Sequence, residues 1–275
     1  VTGLVRSLRA EFAKVLTTRM WWVLALVLFG YIALLAGGLS ALFGGIESGV
    51  ISPDVADGPN AATLGDVAPL IYSFAASVGY VFPVLLGALA VTGEYRHQTL
   101  TPTFLATPRR AAVLGAKAST MFVVGAVYGV IGLTASVGVG ALVLASFGID
   151  PMLGDADTWA LIERSILAMA LWATIGVGLG ALVPSQAASI VIVLAFTQFV
   201  EPLLRFAAIF TEVTADIGKF LPGAASDALV GASFLNLATP VAVTLEWWEG
   251  GLALLAYATA ITIGGYLASW RRDVT

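Results

Sequence analysis

Of the 275 residues, 59% are hydrophobic and only 11% charged, which excludes a soluble globular domain, where about a quarter of residues carry charge, and marks a polytopic membrane protein. The net charge of −4 comes with no basic tail and no basic patch interleaved with aromatics, so nucleic acid is not expected as a partner. The absence of cysteine excludes a disulfide framework, a thiolate metal site and a thiol nucleophile.

The length suits one transmembrane domain over 1–275. Val1 stands where Met is expected and only three lysines occur, which reads as a bacterial gene with an alternative start codon. In residues 1–19, Leu4, Val5, Leu8, Phe12, Val15 and Leu16 share one helical face, with Arg6, Ser7 and Lys14 opposite. This predicts an amphipathic helix lying in the membrane surface, either an elbow that fixes the entry angle of the first span or a simple anchor.

A bilayer core about 30 Å thick needs about 20 apolar helical residues. Six such runs follow, at 20–43, 67–92, 117–147, 159–183, 187–200 continuing unevenly to 210, and 248–270. The run after Arg19 is too long for a signal-peptide core and is read as a retained span. The fifth is interrupted by Glu201, Pro202 and Arg205. Segment 201–246 is too apolar for a plain loop yet is punctuated by Pro202, Pro222, Gly223 and Pro240, which predicts short outer helices or a partly re-entrant hairpin.

On a six-span scheme, ten of the thirteen Lys and Arg fall on one side. That side is therefore cytoplasmic and holds both termini, because inner loops carry the basic excess. Trp21, Trp22 and Trp270 border it, while Trp159, Trp247 and Trp248 border the other. Small-residue spacings at Gly125/Gly129, Gly132/Ser136/Gly140, Gly176/Gly180 and Ala260/Gly264 allow close helix approach, within the chain or at a dimer seam.

Catalytic and metal-binding patterns are missing. No GxxxxGK[ST] loop surrounds any lysine, the lone His97 completes no HExxH, and there is no GxSxG. The expectation is no catalytic residue, no metal and no cofactor in this chain. Ionisable residues in or near spans are few: Glu163 and Arg164 in the fourth, and Glu201 and Arg205 at i,i+4 spacing in the fifth, read as snorkelling or local pairing.

Much of the scarce polar chemistry sits at 93–111, between the second and third spans. Leu100, Phe104 and Leu105 recur at helical spacing beside Tyr95 and are flanked by arginines, either a surface helix without a partner or one that docks on a soluble protein. The run Glu94-Tyr95-Arg96-His97-Gln98-Thr99-Leu100, then Leu105-Ala106-Thr107-Pro108-Arg109-Arg110 and Lys117, resembles the E-x-R-x-x-T-(aliphatic)…L-x-x-P-x-R…K pattern of bacterial ATP-binding-cassette exporter permeases of the type-two, ABCG-like class. The segment Leu221-Pro222-Gly223-Ala224-Ala225 before the last span, and the order of the spans, are arranged as in that class.

The resemblance implies an all-α permease in a bacterial cytoplasmic membrane, paired with a second copy in preference to a paralogue and with separate ATPase subunits that carry ATP and Mg. The 93–111 loop would be its coupling helix. Glu94, Arg96, Thr99, Pro108, Arg109 and Arg110 match the class motif, whereas Tyr95, Leu100, Phe104 and Leu105 are chosen on physical grounds as the contact. Pro102 departs from an uninterrupted helix, with Thr101 as cap. In that class the second and fifth spans line the pathway, which points to Tyr72, Phe74, Tyr80, Phe82, Phe196, Gln198 and Phe199, each equally able to be core or lipid-facing. A lipophilic or amphipathic substrate and alternating access follow as expectations. The rivals are an ion-gradient-driven secondary transporter and a non-transporting scaffold.

Overall fold

The computed structural model describes residues 2–50, 67–208, 210–233 and 245–271, without the side chains of 2–4 and 212. Helix α1 (Thr2–Thr17) is followed by α2 (Met20–Glu47), α3 (Val67–Ser77), α4 (Val81–Arg96), the short α5 (Leu100–Ala106), α6 (Arg110–Ser146) and α7 (Ala156–Leu182). Then come α8 (Gln186–Ala195), a π-helical turn at Phe196–Val200, α9 (Glu201–Ala207), α10 (Glu212–Gly218), α11 (Pro222–Val230) and α12 (Trp247–Gly265), which ends in a second π turn at Tyr266–Trp270. No strand occurs among the described residues.

Six stretches are long and apolar enough to cross a membrane: Met20–Glu47, Val67–Arg96, Arg110–Ser146, Ala156–Leu182, Gln186–Ala207 and Trp247–Trp270. They make this a multi-pass membrane protein, and they fall on the six runs read from the sequence. Spans two and four form the centre, with 72% of each apolar window buried, against 22% for the fifth and 17% for the sixth. The outer spans therefore keep wide apolar faces uncovered by the described residues.

Glycines bring the central spans together. On α7, a Cβ at Gly176 would stand 2.9 Å from the Val84 carbonyl carbon, and one at Gly180 3.0 Å from the Ala88 Cα, distances that real side chains do not tolerate. Gly125 and Gly129 of α6 abut α7 in the same way, Gly140 abuts Ile71, and Ser136 Oγ donates to the Tyr72 carbonyl at 3.1 Å. Three of the four small-residue faces are thus packing within the chain. Gly264, on the fourth, has no atom within 4 Å of a Cβ position.

Prolines account for two departures from the sequence reading. The second span is two helices rather than one, because α3 ends at Ser77 and a turn over 78–80 precedes α4. Pro83 lacks an N–H and would strike the carbonyl of Gly79 in a continuous helix, whereas in the first turn of α4 it does neither harm. In the fifth span Pro202 does not stop the helix. The π turn immediately before it widens the backbone and absorbs the missing bond, so helix continues to Ala207. The outer segment expected over 201–246 therefore begins after Ala207, and residues 234–244 of it, with Pro240, lie outside the described residues.

Two boundaries move as well. Glu94, Tyr95 and Arg96 belong to the last turn of α4 and not to a loop. Span three begins at Arg110, which places Lys117 two turns inside it. Beyond α9, α10 is closed by a Thr211–Thr214 capping box, and α11 starts with Pro222 at its first turn and ends at Gly231, whose φ of +90° suits a residue without Cβ.

Candidate functional site

At one end of the bundle α1, α4, α5 and α6 converge. Glu11 and Lys14 sit one turn apart on α1, Glu94 is on the last turn of α4, and Lys117 is on α6. Lys14 Nζ donates to Glu11 Oε1 at 2.7 Å and to Glu94 Oε1 at 2.6 Å. Lys117 Nζ donates to Glu11 Oε2 at 2.5 Å, to Glu94 Oε1 at 3.2 Å and to the Ala90 carbonyl at 3.2 Å. Two cations and two carboxylates interlock across three helices, and Lys117 and Glu11 are almost wholly buried, at 2% and 4% exposure. A cavity of about 480 Å³ adjoins the group, lined in part by His97, Thr99 and Gln186.

This arrangement corrects the expected face of α1. Val15 is buried and Leu8 and Phe12 are half-buried, as the apolar stripe requires, but Val5 and Leu16 are exposed. The stripe is rotated because Glu11 turns inward to Lys117 and carries Lys14, expected on the far face, round to Glu94.

Burial alone would push the Glu11 carboxyl up, but the Lys117 charge and hydrogen bond, with those of Lys14, hold it below its ordinary value of 4.5. Burial would push Lys14 down, and the hydrogen bonds and charges of Glu11 and Glu94 raise it above its ordinary 10.5. The depressed Glu11 adds stability that is present above the unfolded carboxylate value and is lost as pH falls through the folded one. The raised Lys14 adds stability present below the unfolded lysine value and lost as pH rises through the folded one. The thermal midpoint should accordingly be flat through neutral pH and fall below about 4.5 and above about 10.5. Glu11→Gln should shrink the acid limb in a pH series of melting curves, and an unchanged limb would refute the assignment.

Helix α5 projects from this end. Leu100 is fully buried, and Phe104 and Tyr95 pack edge-on against Trp270 at ring separations of 5.5 Å and 6.0 Å. The Trp270 indole donates to the Arg110 carbonyl at 3.0 Å, and the Arg110 guanidinium lies 4.9 Å from the Phe104 ring. Arg96 reaches Gln186 at 3.1 Å, the Thr99 carbonyl accepts from Thr103 Oγ1 at 2.8 Å, and Thr99, Pro108 and Arg109 are exposed. Thr99, not Thr101, precedes the first helical residue, so Pro102 lies in the first turn where its missing N–H is harmless. Of the four side chains chosen as a contact edge, only Leu105 is presented, at 80% exposure. Leu100, Tyr95 and Phe104 instead root the helix, since apolar side chains this near a bundle find partners within it.

The pathway candidates do not form one lining. Tyr72 is fully buried and its hydroxyl donates to the Pro151 carbonyl at 2.7 Å. Phe74 is buried, Phe82 lies 6.2 Å from Tyr31, Phe196 is half-buried and Phe199 is 74% exposed. Only Tyr80 and Gln198 meet, at a cavity of about 180 Å³ between the break in span two, the fifth span and α11.

That cavity borders a second buried ionic group. Arg205 Nη1 donates to Asp227 Oδ2 at 2.6 Å and Nη2 to Glu201 Oε1 at 3.2 Å. The Gly223 N–H donates to Glu201 Oε1 at 2.5 Å, while Ser77 and Ser233 hydroxyls donate to Asp227 at 3.1 and 2.8 Å. Glu201, Arg205 and Asp227 are 2%, 9% and 3% exposed. The Glu201–Arg205 spacing was legible as a local pair. Its third member was not, because Asp227 arrives from a separate helix. Among the described residues no cluster of His, Asp and Glu is suited to a metal ion.

No protein-family model matches the chain, and no curated protein matches its sequence.

Proposed function

We propose that this chain is the permease subunit of a bacterial type-two ATP-binding-cassette exporter, moving a lipophilic or amphipathic substrate by alternating access. ATP and Mg are handled by separate ATPase subunits, and this chain is not itself an enzyme and carries no cofactor. The observation that supports the reading best is the construction of α5. A seven-residue helix is rooted in the bundle by Leu100 and by Phe104 on Trp270, yet presents Leu105 with exposed Arg96, Pro108 and Arg109 around it. The exposed tip at Leu105 adds nothing to the bundle's own packing and suits a soluble partner.

In this reading the α5 end is cytoplasmic, with both termini, in the bacterial inner membrane. Helix α1 lies in the headgroup layer, and α10 and α11 stand on the outer side. Force received at α5 passes through Phe104 and Trp270 to Tyr95 on α4, and from α4 to α1 and α6 through the Glu11, Lys14, Glu94 and Lys117 group. A second copy of the chain and lipid cover the exposed apolar faces of the peripheral spans. A specific observation favours one alternative: the buried Glu201–Arg205–Asp227 group is of the kind that ion-driven carriers use.

The experiment is co-purification with candidate P-loop ATPases, then ATP-driven transport in vesicles. Leu105→Asp, at an exposed position, is expected to leave the chain folded and to lower ATPase association and transport about tenfold or more. Full association with the variant, or transport by the isolated chain under an ion gradient alone, would overturn the reading.

A further inference from the structure

The cavity at the break in span two is not explained as packing. It is walled by Ser77, Tyr80, Gln198, Glu201 and Asp227, and its charges do not balance: among the described residues Arg205 is the one cation paired with two carboxylates. An uncompensated negative charge away from water is costly, and a built site lowers that cost by receiving a cation. One acceptor is free to receive it. Among the described residues Glu201 Oε2 is buried without a hydrogen-bond partner, while Oε1 takes Arg205 and the Gly223 N–H. Both oxygens of Asp227 are already engaged by Ser77, Arg205 and Ser233.

The donor set selects among cations. A divalent metal asks for six or more oxygens, and one free carboxylate oxygen does not supply them. An ammonium group needs one charged acceptor, neutral acceptors and an aromatic wall. Ser77 and Gln198 furnish the neutral oxygens. Tyr80 furnishes the wall, stacked on Trp172 at 4.4 Å, with Trp172 itself fixed by an indole N–H bond to Ser226 at 3.0 Å. A volume of about 180 Å³ holds the head of an amine and a few carbons, not a large molecule. Gln198 lines the cavity and is exposed, and Phe199, next to it in the chain, is 74% exposed, a surface for an alkyl tail.

We infer that this cavity binds a single protonated amine carried on an apolar tail, with Glu201 as its charged acceptor. The inference deepens the proposed function by giving the substrate a chemistry, and rests on it only for naming the amine as cargo. Binding is therefore measured on the isolated chain in nanodiscs without any ATPase, so failure here leaves the α5 reading standing, and failure there leaves this one standing.

Calorimetric titration with dodecylamine hydrochloride, against dodecanol as the uncharged analogue, should show saturable binding for the amine alone. Glu201→Gln should weaken it about tenfold or more, without changing the response to dodecanol. Because that variant touches a buried ion pair, Gln198→Lys provides an independent arm at an exposed position. Its tethered ammonium should fill the cavity and abolish dodecylamine binding, whereas Gln198→Met, which removes one neutral oxygen and adds no charge, should only weaken it. Equal binding of amine and alcohol, no saturable binding of either, undiminished binding by Glu201→Gln, or undiminished binding by Gln198→Lys would each overturn the inference.

Discussion

Replacing Arg205 with methionine should destabilise the folded chain by about 3–5 kcal/mol, the range for removing one partner of a buried ion pair. Methionine keeps most of the apolar stem, so the loss reports the guanidinium. Glu201 and Asp227, both nearly inaccessible, are left facing each other with only the Gly223 N–H and the Ser77 and Ser233 hydroxyls as donors. Unfolding by a denaturing detergent, followed by helix signal, measures the loss. Adding Asp227→Asn to Arg205→Met should restore a large part of it, since one of two stranded charges is then gone. A single variant as stable as the parent would mean that the guanidinium does not neutralise these carboxylates.

Lys117→Met is expected to cost about 3 kcal/mol, at the lower edge of the same range. The reason is Lys14, which still donates to Glu11 and Glu94 after Lys117 is removed. What is stranded is Glu11 Oε2, which among the described residues is held by Lys117 alone, at 2.5 Å, inside a group whose members come from α1, α4 and α6. A further Glu11→Gln should recover part of the loss. The more exposed Lys14, with 38% of its side chain accessible, should be the milder site for the same substitution, because solvent screens it. The reverse ranking of Lys14→Met and Lys117→Met in the same assay would contradict the geometry.

The membrane-spanning plan was legible because it rests on run length and charge scarcity, which are local properties. Its details were legible where the cause was also local. Pro202 was noted as an interruption and Pro83 was not remarked on, and the sequence did not tell that a helix would break at Pro83 and a π turn absorb Pro202. Tertiary pairing was not legible. Lys14 meets Glu94 across 80 positions and Lys117 meets Glu11 across 106, and no periodicity records such distances. For that reason α1 was oriented by its apolar stripe alone, and Lys117 was read as the start of the third span although it is fully enclosed two turns inside it. Leu100 and Phe104 were read as a docking edge for the related reason that helical spacing shows which residues share a side, not which body that side meets. Asp227, the residue that completes the second group, carried no signal beyond being an acid near Pro222 and Gly223.

The turn at 78–80 makes the second crossing two rods with a joint between them. The upper rod, α3, is fastened by Tyr72 to the Pro151 carbonyl and by its own carbonyl to Ser136, whereas the lower, α4, is seated on α7 through its glycines. On the proposed function, displacement applied at the Arg96 tip would be taken up at that joint, moving α4 while α3 is held. Whatever occupies the chamber beside that joint would feel the swing before either mouth of the bundle does.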